Sequence, residues 1–316
     1  MNDSFQMLKD RILKTWRLRR KWAKKEGIDC YRIYDWDIPQ VPIYVDVYGE
    51  FLLVFELETN YSQTEEEREI RRKKFRETIL SLPNIDPEKV IFKTRKIQDR
   101  QNQYEKLDES KRKFLVNEKN LKFWVNLYDY IDSGLFLDHR PFREILQKES
   151  NGKSVLNLFS YTGSLSVACA KGNAQSSESW DLSNTYLDWA LENFETNELD
   201  LQKHKLVRTE ILQRLSEKTI PERKFDILII DPPILSRSKS MHQEFLVQED
   251  HTWMLETLYE NYLKPNGRLY FSTPFQKFKL IKWDKLDDSK ITDLTKISTP
   301  VDFQYSKPHK LFLIQK

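Results

Sequence analysis

Three short stretches of the chain combine an apolar run with a polar or turn-forming end. They cover residues 155–164, 179–183 and 229–233. An apolar run that stops in this way is typical of a parallel strand ending at a ligand crevice. Three such endings along one chain predict a site for a nucleotide-like ligand. The third contains Asp231, Pro232 and Pro233, which we take as the candidate catalytic residues.

The turn after the first of these strands contains a single glycine, Gly163. A strand, a turn and a helix together place free backbone N–H groups at a helix N-terminus, where an anion can bind. A dinucleotide site would use three glycines so that the backbone could approach a pyrophosphate. We therefore expect a less demanding anion, such as a carboxylate.

Two acidic residues follow the next two predicted strands. Asp181 ends the second strand, where a carboxylate can accept both hydroxyl groups of a ribose. Glu210 follows the third, at the depth expected for an adenine amino group. A ligand with ribose, adenine and a carboxylate is S-adenosylmethionine. The alternative for Asp181 is that it only caps the following helix together with Ser183.

Asp231 and the two prolines end the fourth predicted strand, beside the expected switch point of the sheet. Successive prolines fix φ and remove two backbone donors. The turn therefore leaves carbonyl groups and the Asp231 side chain to accept hydrogen bonds from a planar base. The alternative is a plain strand-ending turn.

The elements that position these residues form two patterns. Before residue 131 we predict a basic amphipathic helix at 5–27, two strands within 42–58 joined at Gly49, a helix at 64–82, a strand at 90–94 and a hairpin at 114–130. From residue 154 strands alternate with helices, which predicts an open, mostly parallel sheet covered on both faces. Its predicted strands are 154–159, 174–180, 204–208, 224–231 and 268–272, and its helices are 163–171, 183–198, 211–217 and 243–263. Strand-like segments at 292–298 and 311–314 predict a final hairpin that returns into the sheet.

Composition limits the class of protein. The chain has 316 residues, of which 39% are hydrophobic and 32% charged, and no apolar run approaches the roughly 20 residues that span a bilayer. Cys30 and Cys169 form neither a disulfide framework nor a metal cluster. The N-terminal residues also lack a signal-peptide core. Together these features favour a cytoplasmic protein that binds neither a membrane nor a metal ion.

The positive charge of the chain is unevenly spread. The net charge is +3 overall, but +5 within residues 1–30 and +4 within residues 93–113. Basic patches of this kind suit a phosphate backbone, and the alternative is a solvated helix face. The candidate nucleic-acid-binding residues in these segments are Arg19, Arg20, Lys21, Lys24, Lys25, Lys93 and Arg95, and Arg237 and Lys239 are further candidates nearer the predicted site.

Residues 134–140, 156–164, 181–187 and 231–239 together resemble the S-adenosylmethionine-dependent large-subunit (23S) ribosomal RNA methyltransferases. The resemblance is strongest to the guanine-N7 methyltransferase half of the bifunctional 23S rRNA enzyme. Residues 31–37, 45–48 and 92–95 match the same family, so the resemblance covers the chain from about residue 30. It implies an α/β fold: a class I methyltransferase Rossmann-like sheet, mostly parallel with a C-terminal antiparallel hairpin, preceded by a small α+β domain.

The resemblance also implies a cofactor, a partner and a domain plan. The cofactor is S-adenosylmethionine, and the partner is 23S rRNA or a large-subunit precursor particle. The implied cofactor contacts are Asp138, Arg140, Asn157, Phe159, Ser160, Tyr161, Thr162, Gly163, Asp181, Leu182, Glu210 and Asp231. Glu210 replaces the commoner Asp, and Leu235 stands where relatives usually have Phe. We expect a basic helix at 1–30, a small α+β RNA-facing domain at 31–113, a linking hairpin at 114–133 and a cofactor-binding catalytic domain at 134–316.

The cysteines discriminate between methylation reactions. Formation of 5-methylcytosine requires a thiolate that attacks the base, but residues 271–275, where the sister family carries that cysteine, have none. We expect Cys169 to be a core residue. Guanine N7 is nucleophilic while neutral and needs no general base, so alignment of N7 with the sulfonium methyl supplies most of the catalysis. The target guanine must be unpaired or flipped out.

Other interpretations remain open. Ile234 stands where enzymes that methylate exocyclic amines usually have an aromatic residue, which disfavours that reaction without excluding it. A second alternative is a ribosome assembly factor that binds S-adenosylmethionine and RNA without catalysis. A nicotinamide dehydrogenase is disfavoured by the single glycine. His139 and His251 are candidates for contacts to the base, although a lone histidine is more often structural.

Overall fold

The computed structural model describes residues 2–58, 64–96, 110–217, 221–237 and 244–316. The chain forms two compact units, residues 1–133 with 301–306 and residues 134–300 with 307–316. The finer domain boundaries at residues 30 and 113 stay predictions. No helix in the described ranges is both long and apolar enough to cross a membrane.

The first unit is an α+β structure built on a four-stranded sheet. Its helices and strands are α1 (Asn2–Glu26), β1 (Cys30–Asp35), β2 (Ile43–Tyr48), β3 (Phe51–Glu58), α2 (Glu65–Leu80), β4 (Val90–Lys96), β5 (Phe114–Glu118) and β6 (Leu121–Val125). The sheet order is β1-β2-β3-β4, in which only β3 and β4 run parallel. The apolar face of α1 joins the core of this unit through Leu8 and Ile12, as its helical spacing predicts.

Strand β1 is an element that the sequence analysis did not predict. All six of its residues are buried, so it lacks the alternation that marks a half-buried strand. Its polar residue Arg32 is buried because Asp35 and Asp46 accept hydrogen bonds from its guanidinium group.

The second unit contains the alternating strands and helices. They are α3 (Arg140–Glu149), β7 (Ser154–Leu158), α4 (Ser164–Lys171), β8 (Ser176–Asp181), α5 (Asn184–Thr196), β9 (His204–Arg208), α6 (Ile211–Ser216), β10 (Phe225–Ile230), β11 (Leu235–Arg237), β12 (Glu244–Leu246), α7 (Val247–Thr257), β13 (Leu263–Thr273), β14 (Ile291–Asp293), α8 (Thr295–Ser298) and β15 (Lys310–Gln315). Among the described residues, seven strands form one sheet in the order β14-β15-β13-β10-β7-β8-β9. Strands β7, β8, β9, β10 and β13 are parallel, whereas β15 is antiparallel to both β13 and β14. The predicted mostly parallel sheet with a C-terminal antiparallel hairpin is confirmed.

Two predicted elements of this unit are wrong in part. The helix predicted at 243–263 begins only at Val247, because residues 244–246 pair with β11. The strand predicted at 292–298 ends at Asp293. The Asp293 carboxylate accepts a hydrogen bond from the backbone N–H of Thr295 at 2.8 Å, and the short helix α8 follows.

Candidate active site

The turn between β7 and α4 has an unusual backbone. Phe159, Tyr161 and Gly163 have positive φ angles of 57°, 51° and 74°. This conformation is strained for residues other than glycine and persists only where the surroundings enforce it. At Gly163 a Cβ atom would lie 2.9 Å from the Phe194 ring, so this position requires glycine. The turn therefore presents its backbone at the carboxyl end of β7, where a ligand crevice is expected.

Asp181 holds this turn from the end of the neighbouring strand β8. Its Oδ2 accepts a hydrogen bond from the Tyr161 backbone N–H at 2.9 Å, and its Oδ1 accepts one from the Ser183 N–H at 2.9 Å. Burial raises the pKa of Asp181, and the backbone N–H groups oppose this rise. Ser183 caps α5 by accepting from the Tyr186 N–H. The capping alternative thus describes Ser183, whereas Asp181 links two loops.

Other predicted cofactor contacts surround the same turn. The Asn157 side chain donates to Ser166 Oγ at 2.9 Å, and the Thr162 hydroxyl donates to the Gly134 carbonyl at 2.6 Å. Asn157 Oδ1 and Ser160 Oγ are buried without a hydrogen-bond partner among the described residues. Because such atoms are costly to leave unsatisfied, they indicate a place for a polar ligand. Leu182 is exposed, and Glu210 is half-buried at the start of α6.

The end of β10 faces a buried histidine. His139 Nδ1 lies 3.7 Å from Asp231 Oδ2, and His139 Nε2 lies 3.8 Å from Asp138 Oδ2. Burial lowers the pKa of His139, while Asp231 and Asp138 raise it. Pro232 is buried and Pro233 half-buried beside Asp231. The structure therefore brings Asp138 and Asp231 to opposite sides of one imidazole ring. Arg140 follows this histidine at the start of α3 and is 2% exposed.

The sequence analysis missed two residues of this cluster. His309 Nδ1 lies 2.8 Å from Asp138 Oδ2, and His309 Nε2 lies 2.9 Å from Ser298 Oγ. No local pattern marks His309, because its partner Asp138 is 171 residues away in the chain.

His251 and the cysteines do not reach the site. His251 is fully buried, faces the Val247 carbonyl through Nδ1 at 2.9 Å and accepts the Ile281 backbone N–H at Nε2 at 2.9 Å, so its role is structural. Cys169 is buried in a core cluster, as predicted, and burial raises its pKa to about 12. Cys30 is also buried, and its thiol donates to the Asn117 carbonyl at 3.7 Å. Neither thiol is available as the nucleophile that cytosine C5 methylation requires.

The predicted RNA-binding residues occupy different environments. Arg20, Lys21, Lys24 and Lys25 are exposed on α1. Arg19 donates to the Val301 carbonyl, and Arg95 pairs with Asp132 at 2.6 Å. The side chain of Arg237 and all of Lys239 lie outside the described residues.

The prediction that Lys93 contacts RNA does not fit its environment. It is only 7% exposed, and its ammonium group donates to the carbonyls of Tyr130 and Ile131. Burial lowers its pKa to about 8. Because it is already enclosed by carbonyl groups, Lys93 cannot serve as a surface contact for phosphate.

The sheet is mostly parallel, its switch point lies between β7 and β10, and a ligand turn stands at its carboxyl edge. These features define a nucleotide-binding type of α/β protein. A profile of the S-adenosylmethionine-dependent methyltransferases matches residues 45–274. The chain belongs to this methyltransferase family.

Two relatives and one solved structure illustrate the similarity. The chain is 41% identical over 297 residues to ribosomal RNA large subunit methyltransferase K of Neisseria meningitidis serogroup B, which covers 93% of this chain and 83% of that protein. It is 39% identical over 318 residues to ribosomal RNA large subunit methyltransferase K/L of Shewanella loihica, covering 97% of this chain but 43% of that protein. The chain thus spans less than half of the longer relative. The crystal structure of SMU.776, a candidate methyltransferase in complex with SAH, has a TM-score of 0.73 at 25% identity and covers 99% of this chain and 82% of that chain.

Proposed function

We propose that this protein transfers a methyl group from S-adenosylmethionine to guanine N7 in 23S rRNA, as free rRNA or within a large-subunit precursor particle. The proposed substrate rests on the 41% identity to a ribosomal RNA large subunit methyltransferase K over 93% of the chain. A bacterial relative that modifies ribosomal RNA also supports a cytoplasmic location.

The polar groups of the site fit those of S-adenosylmethionine. Asn157 Oδ1 and Ser160 Oγ lack partners among the described residues. They lie at the end of β7 and in the turn that follows it, which would receive the methionine portion. Asp181 would accept the ribose hydroxyls, and Glu210 would accept the adenine amino group. S-adenosylmethionine, when bound, supplies an electrophilic methyl group. The proposed contacts otherwise follow the sequence expectation, from Asp138 and Arg140 through residues 157–163 to Leu182 and Asp231.

The residues at the end of β10 support attack by a neutral base atom. Guanine N7 is nucleophilic while neutral, so no side chain has to remove a proton from the substrate. The buried His139, whose pKa is lowered by burial, lies beside Asp231 as a neighbour of the reacting end. Asp231, Pro232 and Pro233 would orient the guanine by accepting its hydrogen bonds. The N7-methylated guanine carries a positive charge, and a fixed carboxylate at Asp231 favours charge that develops there.

The test is to incubate the protein with unmodified 23S rRNA and isotope-labelled S-adenosylmethionine, digest the RNA to nucleosides and identify the labelled species by mass spectrometry. We expect labelled 7-methylguanosine, and none from Asp231→Ala. A different labelled nucleoside would overturn the N7 assignment. Absence of label on both free rRNA and precursor particles, with S-adenosylmethionine still bound, would favour the non-catalytic assembly factor.

We further propose that the exposed basic face of α1 contacts the RNA backbone. Replacing Arg20, Lys21, Lys24 and Lys25 together by Gln should weaken binding and reduce the slope of log affinity against log salt by about one for each phosphate that is no longer neutralised. Lys93→Met is the matched control, because Lys93 is a basic residue already enclosed by backbone carbonyls. An unchanged slope in the quadruple variant would refute this interface.

A further inference from the structure

His309 is a buried histidine that none of the roles above explains. It lies directly before β15 and is 1% exposed. Its Nδ1 is 2.8 Å from Asp138 Oδ2. An ionised carboxylate only accepts hydrogen bonds, so Nδ1 must carry the proton that lies between the two side chains. His309 therefore donates a charge-assisted hydrogen bond to Asp138.

Ser298 is placed to support the form of the His309 ring that can make this bond. The Ser298 hydroxyl lies 2.9 Å from His309 Nε2 and 3.2 Å from the Thr295 carbonyl. When its proton points to the nearer of the two acceptors, Nε2 accepts and Nδ1 keeps the only proton of the neutral ring. Second partners of this kind commonly fix the tautomer of a functional histidine.

The same side chains also have the spacing of a metal centre. Asp138, His139 and His309 each offer a ligand atom, and these atoms lie within 4.8 Å of one another. Two atoms bound to one zinc ion at about 2.1 Å in tetrahedral geometry are separated by about 3.4 Å. The 2.8 Å separation of Nδ1 and Oδ2 is shorter and matches a hydrogen bond. The geometry therefore favours a hydrogen-bonded chain over a metal centre.

We propose that His309 is a positioning residue that orients the Asp138 carboxylate for S-adenosylmethionine, and that Ser298 holds His309 in the required tautomer. The inference rests on the proposed role of Asp138 at the methionine end of the cofactor. His309, directly before β15, would then act on the cofactor through Asp138.

Two amide substitutions test this proposal. In His309→Asn the amide N–H stands near the position of Nδ1 and can still donate to Asp138, whereas in His309→Gln it stands near Nε2 and cannot. We expect the Kd for S-adenosylhomocysteine, measured by calorimetry without RNA, to stay within about threefold in the Asn variant and to rise roughly tenfold in the Gln variant. The milder Ser298→Ala should raise the Kd about threefold. Because no RNA is present, an incorrect rRNA substrate would leave this result unaffected.

A second measurement separates positioning from a general structural role. In an Asp138→Asn background, His309→Gln should have no further effect on the Kd, because the pair is already broken. In the native background the KM for S-adenosylmethionine should rise by the same factor as the Kd, with kcat at saturation unchanged. Equal affinities of the Asn and Gln variants, or a full tenfold loss in the Asp138→Asn background, would overturn the proposal. So would one zinc ion per chain that resists EDTA and is required for binding.

Discussion

Replacing Asp181 by Asn tests how the cofactor turn is held. Each oxygen of the Asp181 carboxylate accepts one backbone N–H, from Tyr161 and from Ser183, both at 2.9 Å. Asn keeps one acceptor and places an NH₂ group against the other N–H. The missing bond and the opposed donors should cost about 1–3 kcal/mol of stability. Tyr161 would also be without the hydrogen bond that helps to hold its positive φ.

The effect should appear in both folding and binding. We expect Asp181→Asn to lower the midpoint of thermal unfolding by several degrees and to raise the Kd for S-adenosylhomocysteine at least tenfold by calorimetry. Ser183→Ala is the matched control, because it removes the cap of α5, worth about 1 kcal/mol, and leaves both backbone bonds to Asp181. A native Kd in Asp181→Asn would refute both the ribose role and the account of the turn.

Three further predictions concern the backbone and the buried charges. Gly163→Ala should weaken cofactor binding and destabilise the second unit by more than the roughly 1 kcal/mol of the backbone strain alone, since its Cβ would press on the Phe194 ring; native-like calorimetry and melting would contradict this. Arg32→Met should lower the free energy of unfolding by about 3–5 kcal/mol in urea titrations, because it leaves two buried carboxylates uncompensated; a neutral result would show that the carboxylates find other partners. Burial lowers the pKa of His251, so the unfolded chain takes up its proton first as the pH falls below about 6.5. Wild-type protein should therefore lose stability between pH 7 and pH 5 more steeply than His251→Gln, and parallel pH profiles from urea unfolding would exclude this contribution.

Much of the catalytic fold could be predicted because its signals are local. The apolar runs that end at Asp181 and at Asp231, with one glycine turn between strand and helix, mark parallel strands and a ligand edge within a few residues each. The failures have equally local causes. The segment 292–298 has a strand-like composition, but the Asp293 carboxylate accepts the Thr295 backbone N–H, and the chain continues as the short helix α8. Strand β1 escaped prediction because burial on both faces removes the alternation on which strand prediction depends.

The sequence by itself determined the order of the elements, the single-glycine turn and the absence of a cysteine at the position used for cytosine chemistry. Only the tertiary structure decided which distant side chains meet. It enclosed Lys93 among backbone carbonyls, and it placed His309 against Asp138 across 171 residues. The physical reason is that hydrophobic periodicity and turn chemistry act over a few residues, whereas burial and hydrogen-bond partners depend on segments that are distant in the chain. Strand β15, which lies between β13 and β14, is one example.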